Sequence, residues 1–215
     1  MMGGSTIITE SWRTNIPAIM MLWYPGMEGG RAFADILLGK VNPSGRLPCI
    51  FPAQAEDLPE YRIDTQAMTY DMWHGYRKLE RESIRPAFPF GFGLSYTTYG
   101  YTNLCLEKSH LTQEEALTAT LEVKNTGHAA GDTVIQCYIS VSESRVERAP
   151  KELKAFQRVS LEPGQTKTVN IQIPLKELAY FDPKAGWTVE PAEYTLIVGQ
   201  HSLDEHALHS GFTVA

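Results

Sequence analysis

The feature that most constrains what this chain can fold into is a two-residue alternation of apolar and polar side chains in its second half. From Leu117 to Lys124, Leu117, Ala119, Leu121 and Val123 fall on one face, and Thr118, Thr120, Glu122 and Lys124 on the other. Ile135, Cys137, Ile139 and Val141 repeat the pattern, as do Val169, Ile171 and Ile173, and again Tyr194, Leu196 and Val198. A strand points successive side chains to opposite faces, so this period specifies sheets with one buried and one wet face. Asn125-Thr126-Gly127, Pro163-Gly164 and Asp182-Pro183 supply turns between the runs. Short strands at regular turn spacing predict an antiparallel sandwich.

The texture changes near Ser95 to Gly100. Before it, Ala18-Ile19-Met20-Met21-Leu22-Trp23 reads as a strand apolar on both faces, the kind found mid-sheet under helices. Tyr24-Pro25-Gly26 breaks it. Arg31 to Leu38 then sets Ala32 with Ile36 and Phe33 with Leu37 at helical spacing, which predicts a short amphipathic helix. Glu28 falls in or just before its first turn, where a negative charge suits the helix dipole. Gly39 supplies a helix stop, and Asn42-Pro43-Ser44-Gly45 a turn. One strand-turn-helix-turn unit cannot bury its own sheet. The expected fold class is therefore α/β, a partial open sheet, over residues 1–96, followed by an all-β sandwich over 97–215. The second part has the size and strand count of an immunoglobulin-like or fibronectin type III-like domain.

Composition narrows the partners. Hydrophobic residues make up 43% of 215, enough for a packed core. The net charge is -6 with no basic stripe, so neither nucleic acid nor an anionic membrane surface is an expected partner. No apolar run approaches the roughly 20 residues of a membrane helix. Met1 to Glu10 lack the charged start and apolar stretch of a secretion signal, so a cytoplasmic location is expected over a secreted one; a signal on a longer chain would lie outside this sequence. The three cysteines, Cys49, Cys105 and Cys137, form neither a disulfide framework nor a zinc pattern, and read as buried free thiols in a reducing compartment. No cofactor and no metal are expected.

Function enters through motifs. Ile16-Pro17-Ala18-Ile19, Trp23-Tyr24-Pro25-Gly26-Met27-Glu28-Gly29-Gly30, Ala34-Asp35-Ile36-Leu37-Leu38-Gly39 and Asn42-Pro43-Ser44-Gly45-Arg46-Leu47-Pro48 follow in order. Phe51-Pro52, Gly75-Tyr76-Arg77 and Phe88 to Thr97 come after them. This series resembles the C-terminal α/β domain of family 3 glycoside hydrolases, with Gly3 to Trp12 similar to one of its later strands. Lys151 to Val159, Leu161-Glu162-Pro163-Gly164, Ala179-Tyr180-Phe181-Asp182 and Glu193-Tyr194-Thr195 resemble the fibronectin type III-like domain that follows it in β-glucosidases. The resemblance implies retaining chemistry on β-linked glucosides or xylosides. That chemistry needs a carboxylate nucleophile and a carboxylic acid roughly 5–5.5 Å apart. In the family the nucleophile Asp lies on a TIM-barrel domain and the acid/base Glu lies earlier in the α/β domain. Both positions would precede residue 1, so no catalytic residue is assigned here. The implied partners are a β-linked glucoside or oligosaccharide and the absent N-terminal barrel.

Two positions are candidates for substrate contact. Glu28 stands beside glycines at the carboxyl end of a strand, the edge that ligands favour in open α/β sheets; an acid selected by the helix dipole alone is the alternative. Trp73 offers a flat face to a sugar ring, or packs. Trp23, Tyr24 and Tyr76 pose the same choice, with packing preferred for Trp23. Asp71 and Glu80 flank Trp73 to Arg77, and Asp71-Met72 stand where the family often has Glu-Gly, a departure from its pattern. His74 reads as an exposed loop residue. His201, His206 and His209 read as a solvated loop before a last strand at Phe212 to Val214. Arg145, Arg148, Lys151 and Lys154, mixed with Glu143, Glu147 and Glu152, read as an ordinary charged surface.

Three functions fit these residues. One is a C-terminal portion of a β-glucosidase that frames an active site and braces the barrel, inactive alone. Another is a non-catalytic module that binds polysaccharide or protein through the sandwich, against which stands the lack of an aromatic stripe between Leu117 and Val198. The last is a self-sufficient enzyme using Glu28 or Asp71, for which no partner carboxylate is evident.

Overall fold

In the computed structural model, which describes all 215 residues, the alternation becomes two packed sheets. The strands are β1 (Tyr99–Leu106), β2 (His110–Leu111), β3 (Ala116–Asn125), β4 (Gly131–Val141), β5 (Glu152–Leu161), β6 (Thr166–Pro174), β7 (Tyr180–Asp182), β8 (Gly186–Thr188), β9 (Ala192–Gly199) and β10 (Leu208–Val214). One sheet runs β1-β3-β6, the other β2-β10-β9-β4-β5, and β7 and β8 form a separate hairpin. Every pair is antiparallel except the short β2–β10 contact. Leu117, Ala119, Leu121 and Val123 point inward from β3, against Ile135, Cys137 and Ile139 of β4 and Leu196 and Val198 of β9 in one core. The four alternating runs thus fall on β3, β4, β6 and β9.

Two buried polar side chains tie this sandwich together. Asn125, fully buried at the end of β3, accepts from Thr97 Oγ1 at 2.6 Å and the Gly127 N–H at 3.1 Å. Its amide donates to the carbonyls of Ala129 and Leu161 at 2.8 and 3.1 Å. Tyr194, buried on β9, donates its hydroxyl to the Glu190 carbonyl four residues upstream at 2.8 Å, a corner tie that immunoglobulin-like sandwiches share.

The chain divides into two units, Met1–Leu94 and Ser95–Ala215. The first holds helices α1 (Glu10–Arg13), α2 (Gly29–Leu37) and α3 (Gly75–Arg81). Its framework is a zip between two motifs far apart in sequence. Leu47 donates to the Phe92 carbonyl at 2.8 Å and accepts from Gly91 at 2.9 Å, and Phe51 and Phe88 exchange both backbone bonds at 2.9 and 3.1 Å. A Cβ on Gly93 would sit 2.3 Å from the Gly45 carbonyl oxygen, so only glycine allows this approach. Trp23, Phe51, Phe88 and Phe92 pack in series, the first two contacts edge-on and the last tilted, at centroid distances of 6.4, 6.1 and 5.5 Å.

Several expectations change. Ala18 to Trp23 is not a strand. Only Met1 pairs with it, its amine reaching the Met20 carbonyl at 2.8 Å and its carbonyl accepting from Leu22 at 2.9 Å, the bonding of a parallel ladder that goes no further. Gly3 to Trp12 forms no strand either, and its last residues enter α1. Cys105 is exposed rather than buried. A register shift between Thr102 and Cys105 places it opposite Thr120, on the wet side of β3. His209 stands on β10, which starts at Leu208. Arg148, Glu152 and Lys154 are not ordinary surface: their side chains are 12, 17 and 16% exposed, with Glu152 paired to both cations at 3.6 and 3.2 Å. Arg148 also donates to the Leu178 carbonyl at 3.0 Å.

Candidate functional site

Glu28 is the N-cap residue of α2 and is exposed, with no side-chain cap bond. Its carbonyl accepts from Ala32 at 3.0 Å and so begins the helix. The glycines around it have a packing cause: a Cβ on Gly29 would lie 2.5 Å from the Pro25 Cβ, and Gly26 has φ +70. Tyr24 and Met27 beside it are also exposed. The helix ends as expected, with Gly39 at φ +70 and its N–H on the Ile36 carbonyl.

Trp73 lies in a different place. It helps line a cleft of about 520 Å³ between the 59–73 loop and α3, together with Arg62, Asp71, Lys78, Arg81 and Glu82. Asp71 Oδ1 accepts from the Trp73 N–H at 2.7 Å, and the Asp71 carbonyl bonds His74 Nδ1 at 2.9 Å. This local turn brings the indole under the Arg81 guanidinium, 4.0 Å from the ring centroid. His74 is exposed, as expected of a loop residue. Lys78 bridges the cleft wall to the Asp57 carbonyl at 3.0 Å and to Glu82 at 3.2 Å. Glu60 is tied to Arg62 at 2.8 Å. Glu28 does not line this cleft, so the two candidate contacts are not brought together by it.

Other acids are occupied by structure. Asp57, buried, accepts from the backbone of Ala53 and Gln54 and from the Gln54 amide, holding a single 3-10 turn. Glu190, buried, accepts from Ser144 Oγ at 2.7 Å and the Arg145 N–H at 2.6 Å, anchoring the loop after β4. Where the fold moves a carboxylate, it moves it down. A hydrogen bond from Lys108 and one from the Thr112 N–H take Glu115 to about 2. Ser160 and then Arg158 lower Asp132, and the N–H groups of Lys184 and Ala185 lower Asp182. A glycosidase acid needs the opposite shift. Burial pushes the Cys137 thiol up to about 12 and raises Cys49, which leaves both poor nucleophiles. No group of His, Cys, Asp and Glu side chains is arranged to hold a metal. No helix is long and apolar enough to cross a membrane.

Sequence reasoning missed Arg81. Its spacing from Trp73 across a loop and a helix gave no pairing signal. Phe181 stands in the Ala179-to-Asp182 motif, which gives no sign that its ring meets Trp187 on the β7–β8 hairpin at 5.7 Å.

Comparison with known proteins matches both units. The model for the glycosyl hydrolase family 3 C-terminal domain fits residues 1–96, and that for a fibronectin type III-like domain fits 133–202. The chain is 37% identical over 203 residues to beta-glucosidase BoGH3A of Bacteroides ovatus, covering 90% of this chain and 27% of that protein. It is 40% identical over 207 residues to a beta-glucosidase of Kluyveromyces marxianus, covering 93% and 24%. Among solved structures, beta-glucosidase 3B from Thermotoga neapolitana in complex with glycerol superposes with a TM-score of 0.90 at 35% identity, over 99% of this chain and 30% of that one. The Kluyveromyces marxianus beta-glucosidase in complex with glucose gives 0.91 at 37%, over 100% and 26%. The chain therefore spans about a quarter of the length of the curated relatives it matches.

Proposed function

Because the chain belongs to glycosyl hydrolase family 3 and corresponds to the C-terminal part of its β-glucosidases, we propose that it serves as the non-catalytic C-terminal region of such a retaining hydrolase. The observation that carries this reading is the match of both units, in order, to about a quarter of each relative's length. The side chains fit it. Cleavage with retention requires one ionised carboxylate and one protonated carboxyl facing each other across the bond. Glu28 is the exposed N-cap of α2 and does not line the cleft that Asp71 lines, and Asp71 is bonded to its own turn. The substrate in this reading is a β-linked glucoside, bound by the whole protein. Glu28 and Trp73 contribute at the rim of its active site. Residues 97–215 brace the barrel as an independent domain, with the boundary at 96/97.

The test pairs the chain with what it lacks. The purified chain is expected to leave an aryl β-glucoside intact. Co-expression with the upstream region of the Thermotoga neapolitana relative, cut where the match begins, is expected to restore hydrolysis. Glucose release by the chain alone at enzyme-like rates would sink the assignment of both carboxylates to the absent region. Failure of the pair to hydrolyse would sink the complementing role.

A further inference from the structure

The sandwich carries one surface that its own fold does not use. The β7–β8 hairpin presents Phe181 and Trp187 to solvent, 61 and 75% exposed, with the rings edge-on at an interplanar angle of 73°. Burying aromatic surface is favourable, and leaving two adjacent rings in water forgoes that gain. The hairpin holds them there firmly. Asp182 Oδ1 accepts from the backbone of Lys184 and Ala185 at 2.7 and 3.0 Å, and Gly186 closes the turn at φ +79.

Trp187 is also one wall of a cleft of about 490 Å³. The rest of the wall includes Gln113, Glu114, Lys176 and Glu177, all exposed and able to donate or accept hydrogen bonds. A stable protein contact buries about 800 Å² per side around a core depleted in charged residues, and two rings beside a charged and amide-bearing rim are a poor match to it. The match is to a pyranose. A sugar ring is apolar on its C–H faces and ringed by hydroxyls. In β-linked glucose every hydroxyl is equatorial, so both faces stay flat and apolar while the edge stays polar. One face stacks on the indole and the hydroxyl edge meets the polar rim.

We propose that the Phe181–Trp187 hairpin and the cleft beside it form a binding site for β-linked gluco-oligosaccharide, separate from the Trp73 cleft. The choice of β-linked glucose rests partly on the hydrolase reading above; the aromatic platform and its polar rim do not. The site holds a chain end or internal stretch of substrate and takes no part in cleavage.

Cellotetraose is the probe. It is added to the full 215-residue chain while the indole N–H resonances are followed by NMR. The Trp187 signal, assigned by its loss in Trp187→Ala, is expected to shift saturably below about 10 mM, the range of weak ligands. Removing an aromatic anchor of this kind weakens binding by about tenfold or more, so Trp187→Ala should lose the response measured by calorimetry. Trp187→Phe, which keeps a ring, should retain binding within about threefold, because the flat apolar face survives. An unmoved Trp187 signal overturns the proposal, as does equal affinity in Trp187→Ala. A Trp187 signal that responds only to the relatives' upstream region, and not to sugar, overturns it in favour of a protein contact. Binding of cellotetraose without complementation would sink the complementing role and leave this site standing; complementation without binding would do the reverse.

Discussion

At the scale of single residues, the strongest constraints are polar rather than apolar. Asn125 was legible only as a turn residue, yet it is the fully buried hub of four hydrogen bonds. Replacing it with alanine strips a partner from the buried Thr97 hydroxyl, from the Gly127 N–H and from the carbonyls of Ala129 and Leu161. Asn125→Ala is expected to lower the stability of the sandwich by about 3 kcal/mol, measured by denaturant unfolding; a loss under about 1 kcal/mol would show that the hub is dispensable. Glu115 gives a pH test. Its carboxyl is pulled from an ordinary 4.5 to about 2, by the Lys108 hydrogen bond first and then by the Thr112 N–H. A depressed carboxylate stabilises the fold above its unfolded value, and that contribution fades as pH falls from 4.5 toward 2. The pair lies at the surface, with the Glu115 side chain 33% and the Lys108 side chain 59% exposed, so the effect is small and salt-sensitive. The stability difference between wild type and Glu115→Gln should be flat above about pH 5 and shrink below it. A difference that stays constant down to pH 2 would show that the pairing does not persist in solution.

At the scale of elements, legibility followed the source of each element's stability. β3 was readable because its alternation is imposed by one buried face, and that burial is local to the sandwich. Helix α2 was readable from the helical spacing of its apolar positions and from its end at Gly39, although Gly29 is its one buried residue. Ala18 to Trp23 has the composition of a central strand, but a strand is made by neighbours. Here one residue, Met1, supplies the only ladder bonds. The zip of Leu47 and Phe51 onto Phe88 to Phe92 was invisible as a pairing, since nothing in either motif names its distant partner. What the motifs did carry was the glycine at 93, whose necessity becomes physical once the Gly45 carbonyl is seen against it. The Trp73–Arg81 stack was hidden for a related reason: periodicity reports faces within an element and is silent about a side chain reaching across a loop.

At the scale of the molecule, the two units differ in how much apolar surface each encloses. In the first, Ile50, Phe51 and Leu79 are the fully buried large apolar side chains, while Met27, Leu37, Leu38 and Val41 around α2 stay 50 to 102% exposed. The second encloses one continuous core from Tyr99 to Val214. Net stability is a small remainder after chain entropy, so a unit with so little enclosed area has almost nothing left over, and clustered apolar surface promotes association. Expressed alone, 97–215 is expected to be monomeric and to melt in one cooperative transition. Expressed alone, 1–96 is expected to aggregate or to unfold without cooperativity, as read by gel filtration and calorimetry. Substituting Leu37 and Leu38 with glutamate should reduce the aggregation without restoring a cooperative melt, because the change removes sticky surface but adds no core. A monomeric, cooperatively melting 1–96 would mean that the zip and its aromatic cluster suffice to fold this unit. The apolar face of α2 would then need a reason other than cover supplied from outside the segment.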